Sequence, residues 1–163
     1  MNTFSVLRIG GVILGMMILV GTSTDSVSGQ TDPQVGTWVL DVTKSKYSPG
    51  PPPRSQTAVY AASANGLKVV ATGTDAAGKP TTTEFTVTFD GKDHPAKGSP
   101  DFTTISARRI DSHTIEYTRK GAGNVQQKAT RSVSKDGKTA TLTVVGVDGQ
   151  GRKIDRVQIY VKK

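Results

Sequence analysis

The chain has no cysteine. That excludes disulfide staples, thiolate metal sites and thiol nucleophiles. It also argues against a lipid-anchored N-terminus of the bacterial lipoprotein type. Aromatic residues are scarce, 6% of 163, and hydrophobic residues of all kinds make up only 34%. So thin an apolar complement does not suit a helical globule. It suits strands in which every second side chain faces water. Histidine is nearly absent too: His94 and His113 are the only two, and neither stands near another ligand-type residue at a metal spacing. No metal and no cofactor is therefore expected. Acidic residues, 13 against 21 basic ones, fall mainly at turns or outward positions. No pair of them suggests glycosidase chemistry.

Long hydrophobic runs are also lacking, with one exception. Arg8 precedes the apolar stretch from Ile9 to Val20, which is too short to cross a hydrocarbon core of roughly 30 Å as a helix. Small polar residues follow, and Val27-Ser28-Gly29 offers compact side chains for a signal peptidase. The expectation is a signal peptide over 1–29, cleaved near Gly29, and a single domain over 30–163. The protein is then exported, periplasmic or secreted, and a leader without disulfides fits a bacterial envelope. The leader carries only Arg8 and Asp25, so the mature chain keeps the full net charge of +8. A basic exported chain tends to associate with anionic surfaces and polymers; the alternative is that the scattered excess only aids solubility. No nucleic acid is expected as a partner.

What the mature chain does have is turns. Asn65-Gly66, Asp75-Ala76-Ala77-Gly78, Asp90-Gly91, Asp136-Gly137 and Asp148-Gly149 punctuate it at short intervals, and such pairs supply the positive φ of tight hairpins. Between them lie runs of Thr, Val, Ile, Phe and Tyr, with no sustained helical period. Strands are expected near 35–42, 55–62, 67–74, 81–90, 102–110, 113–120, 124–134, 138–147 and 152–161, with a stub at 92–97 weakened by Pro95. Alternation puts Trp38, Leu40 and Val42 on one face, Phe85, Val87 and Phe89 on another, and Val157, Ile159 and Val161 on the last inner face. The stretch from Lys44 to Arg54, with Pro51-Pro52-Pro53, is expected as a stiff tether wrapping one barrel end. The predicted fold is all-β: an antiparallel up-and-down barrel of eight to ten strands, closed to remove its edges.

Gly36-Thr37-Trp38, at the very start of this meander, resembles the Gly-X-Trp signature of the calycins, the superfamily of lipocalins, fatty-acid-binding proteins and avidins. Trp38-X-Leu40 followed by Lys44-Ser45-Lys46-Tyr47-Ser48-Pro49-Gly50 is also similar to a group of small exported bacterial lipocalin-like proteins of unknown function. The resemblance implies that Trp38 closes one barrel end and that a basic side chain of the final strand packs across it. Arg156 is placed for that role, with Lys153 as the fallback.

No catalytic constellation is present. Ser132-Val133-Ser134-Lys135 matches S-x-x-K only by letter, because it enters a turn rather than a helix. Gly146 to Gly151 resembles a phosphate loop only in glycine content, because a strand follows it. The informative polar residues lie on expected inner faces: Gln127 and Arg131 with Val125, Ala129 and Val133, and Arg109 with Ile105 and Ala107. A buried guanidinium needs a partner. Arg109, Arg131 and Gln127, with Phe85, Phe89 and Tyr117, are therefore the expected binding residues for a small hydrophobic or amphipathic anion. The functional expectation is a non-catalytic binding barrel. The alternative is a basic protein contacting anionic envelope surfaces or polymers.

Overall fold

A computed structural model describes residues 31–122 and 126–163. The expected leader lies outside them, as does Val125. Ten strands follow one another, with no helix among the described residues: β1 (Gly36–Ser48), β2 (Ser55–Ser63), β3 (Gly66–Thr74), β4 (Pro80–Thr88), β5 (His94–Lys97), β6 (Thr104–Arg109), β7 (Thr114–Lys120), β8 (Gln126–Val133), β9 (Thr139–Val147) and β10 (Lys153–Lys162). Each is antiparallel to its sequence neighbours, and β10 returns to pair with β1, so the sheet closes on itself. This is the up-and-down barrel that the alternation predicts, and it is compatible with a calycin-like fold.

The hairpins form where the turn residues stand. Asp75, Asp136 and Asp148 each accept a backbone N–H from two to four residues ahead, from Lys79, Lys138 and Arg152, which folds the chain back on itself. The stub expected at 92–97 forms, as β5. Pro95 leaves β5 able to match only two residues of β4 and two of β6, as its missing N–H requires.

Two expectations fail. The first strand does not end at Val42; it continues to Ser48. The register against β10 shifts between Asp41 and Lys46. There the Ser45 hydroxyl donates to the Asp41 carbonyl and accepts the Ile159 N–H. A bulge thus lets a polar stretch stay in the ladder, and the tether shrinks to 49–54. The face of β10 is also inverted. Leu40 opposes Tyr160, Leu142 opposes Gln158 and Val144 opposes Arg156, and directly opposed residues share a face. Ile154 and Tyr160 are accordingly buried, while Val161 is 43% exposed. The β-branched residues Val157, Ile159 and Val161 suit a strand on either face, so their alternation does not tell inside from outside.

The core fills the lumen with Trp38, Tyr60, Leu67, Val69, Phe85, Val87, Ile105, Ile115, Tyr117, Val144 and their neighbours. Trp38, Leu67 and Val87 lie toward the end where β1 starts. The opposite end holds the connections 49–54, 75–79, 98–103 and 148–152.

Candidate functional site

The end where β1 starts is sealed. Trp38 is fully buried, and its indole N–H donates to the Gln34 carbonyl at 3.0 Å. The Arg131 guanidinium lies 4.7 Å from the Trp38 ring and 4.2 Å from the Tyr60 ring. Its Nε donates to Gln34 Oε1 at 2.9 Å, and Gln34 Nε2 donates to the His113 carbonyl. Two aromatic faces and an amide thus compensate a buried cation that bonds no carboxylate among the described residues. Lys162, directly opposite Trp38 on β10, brings its Nζ to 5.1 Å from the same ring. Gly36 leaves room for it: a Cβ there would stand 2.5 Å from Lys162 Cε, on a backbone with φ of +141°. The basic side chain of the final strand that packs against Trp38 is therefore Lys162, not Arg156. Arg131 of β8 covers the ring as well. Lys153, at the start of β10, is exposed at the far end.

The far end is open. A cavity of about 570 Å³ runs inward from it, within the span of roughly 300–1,000 Å³ typical of small-molecule sites. Tyr60, Val69, Phe85, Phe102 and Leu142 form its apolar wall, and Pro49, Pro51 and Pro53 stand at its rim. Its polar wall comes from inward positions of β1, β2, β7 and β10: Tyr47, Gln56, Arg119, Arg156, Gln158 and Tyr160. Gln158 Nε2 donates to the Tyr47 hydroxyl at 2.7 Å, and the Tyr160 hydroxyl donates to Gln56 Oε1. Arg156 Nη1 pairs with Asp101 Oδ2 at 2.9 Å. Arg119 bonds no carboxylate among the described residues; its guanidinium lies 4.8 Å from the Phe102 ring and 5.9 Å from the Tyr117 ring.

The lumen is rich in unused donors. Among the described residues, Arg119 Nε, Arg156 Nε, Arg131 Nη2, Gln127 Nε2 and the Tyr117 hydroxyl are buried without a hydrogen-bond partner. Four of these five atoms can only donate, and three belong to cations. Buried polar atoms are normally satisfied, so this interior favours an acceptor that carries negative charge. Burial pushes the hydroxyls of Tyr160, Tyr117 and Tyr47 up, which keeps them neutral donors. Burial likewise lowers the Arg119 guanidinium from its usual value, the sign of a charge held in a poorly solvated place.

Of the residues singled out from the sequence, Phe85 lines this cavity. Tyr117 and Gln127 are buried on the inner wall beside it, on β7 and β8. The other three lie away from it. Arg131 is committed to the Trp38 plug. Arg109 is bound to Asp32 and stacks 4.4 Å from the Phe89 ring, so both close the sealed end. Arg156, expected as the plug, lines the cavity instead. Arg119, Tyr160, Phe102 and Asp101 were not singled out. The alternation that puts Ile115 and Tyr117 inward also reaches Arg119, two residues on, and was a usable signal. Phe102 and Asp101 sit in a connection, where no alternation exists.

Both histidines lie outside the cavity wall. His94 Nε2 meets the Asp90 carboxylate at 3.0 Å. His113 Nδ1 meets the Ser112 hydroxyl at 2.9 Å, but the Asp111 carboxylate bonds the His113 backbone N–H rather than the ring. These are turn contacts, not a relay toward a nucleophile. Among the described residues, no three His, Asp or Glu side chains are grouped to hold a metal ion. No protein-family model matches the chain, and no curated protein sequence matches it.

Proposed function

We propose that this is an exported, calycin-like, non-catalytic barrel that holds a small amphipathic monoanion in the cavity opposite Trp38. One observation carries the reading: the cavity joins an apolar wall to three guanidiniums, and while Arg156 pairs with Asp101 and Arg152 with Asp148, Arg119 has no carboxylate partner among the described residues. The charged side chains that line it, Arg119, Arg152 and Arg156 with Asp75 and Asp101, carry one surplus positive charge, which a single carboxylate or sulfonate would neutralise. The aromatic and aliphatic wall then takes up the apolar body. Export rests on the sequence, on Arg8 and the apolar run behind it.

The test compares two fluorescent probes that share their rings. 1-Anilinonaphthalene-8-sulfonate carries the anion, and N-phenyl-1-naphthylamine lacks it. The sulfonate is expected to bind more tightly. Arg119→Gln is expected to weaken it by about tenfold to a hundredfold, since a hydrogen bond to a charged group is worth about 1.5–3 kcal/mol. The neutral probe is expected to bind that variant as it binds the native chain. Equal affinities for the two probes, or full sulfonate affinity in the Arg119 variant, would overturn the proposal.

A further inference from the structure

We propose that Asp101 is a tethered stand-in for the ligand's anionic group, and that the connection carrying it is a latch which an incoming anion releases. This rests on the anion-binding reading above and adds how that site is regulated.

The connection between β5 and β6 does not lie flat over the rim. Phe102 turns into the lumen, 7% exposed, with its ring edge-on to Phe85 at 6.2 Å and beneath the Arg119 guanidinium. Asp101, beside it, reaches Arg156 on β10. In the ring of strands, β9, β8 and β7 separate β10 from β6, so this ion pair bridges the mouth rather than joining neighbours. The two ends of the connection are fixed. Thr103 N–H donates to the Lys120 carbonyl at 2.8 Å. Gly98 has φ of +75°, and a Cβ there would stand 1.9 Å from the Thr82 carbonyl oxygen, so the chain must pass that point as glycine. Between these anchors, the side-chain holds on the barrel are the Asp101 carboxylate and the Phe102 ring. The Asp101 N–H bond to Ser99 Oγ is internal to the connection.

The carboxylate of Asp101 has the same chemistry as the group the cavity is suited to bind. An anion that seats against Arg119 and also takes Arg156 gives the unpaired guanidinium a partner and replaces one carboxylate–guanidinium pair by another. The arginine stays paired throughout, so the exchange avoids the cost of a bare buried cation. The connection gives up its polar hold in the same step. The ligand and the closed latch therefore compete for one guanidinium, and by linkage whatever removes Asp101 from Arg156 raises affinity for the anion.

Two measurements test this on the mature chain. Asp101→Asn is expected to bind 1-anilinonaphthalene-8-sulfonate about tenfold more tightly than the native chain, with N-phenyl-1-naphthylamine unchanged and Asp101→Glu close to native. In hydrogen exchange, the sulfonate and not the neutral probe is expected to speed exchange over 98–103. The Asn variant is expected to exchange fast there without any probe. Unchanged or weaker sulfonate binding by the Asn variant, or slower exchange over 98–103 on sulfonate binding, overturns the latch while anion binding stands. Sulfonate affinity indifferent to Arg119→Gln overturns the anion-binding reading itself, and the latch with it.

Discussion

Arg131 and Arg156 are both arginines on inward-facing positions, yet they contribute differently to stability. Arg131 is 1% exposed, lies between two aromatic rings and holds the Gln34 amide. Truncating it leaves a void beside Trp38 and an amide oxygen without its donor, so Arg131→Ala is expected to cost about 3 kcal/mol in urea unfolding. Arg156 sits at the mouth, where its pair with Asp101 is about a quarter exposed on each side. Arg156→Ala is expected to cost less than about 1 kcal/mol. Equal losses would contradict the assignment of Arg131 as the plug. Gln34 and Asp32, which orient Arg131 and Arg109, were not legible, because they precede the first strand and no periodicity assigns them a face.

At the scale of elements, turn chemistry was the most readable feature. The Asp148-Gly149-Gln150-Gly151 turn shows why. Burial of Asp148 works to raise its carboxyl. Hydrogen bonds from the Arg152 N–H and guanidinium and from the Gln150 N–H outweigh that and hold it below the usual carboxylate range. A carboxyl lowered in the fold stabilises it fully above its unfolded value, and that contribution fades as pH falls through the folded value. Asp148→Asn is therefore expected to melt below the native chain at neutral pH. The gap should close on acidification below the carboxylate range. A gap that persists there would show that the carboxylate's charge is not the cause. Strand faces were readable where one parity is clearly the more apolar, as with Trp38 and Leu40 in β1 and Phe85 and Val87 in β4. In β10 both parities carry bulky residues, and pairing with β1 and β9 decided the face.

For the whole molecule, closure is the decisive contact. Because β10 supplies the partner of both β1 and β9, deleting 153–163 leaves two bare strand edges and removes Ile154 and Tyr160 from the core. The truncated chain is expected to aggregate on size exclusion rather than survive as a monomer. A monomeric product with native sulfonate binding would show that the ring need not close.

An all-β barrel, the places where it turns and most of the residues that face inward could be read along the chain, because alternation and turn preference are local properties. Which end of the barrel each inward residue reaches was settled only by the tertiary structure. Height depends on strand direction, and direction flips with each strand counted. If the short segment His94–Lys97 is left out, every later strand reverses: Arg109 and Arg131 move to the open end, and Arg156 moves beside Trp38. With β5 in the ladder, ten antiparallel strands close on β1, and Arg119 and Arg156 face the cavity instead. The stub at 92–97 was expected, but four residues interrupted by a proline carry too weak a local signal to fix whether it joins the ring, and pairing with both β4 and β6 decides that it does.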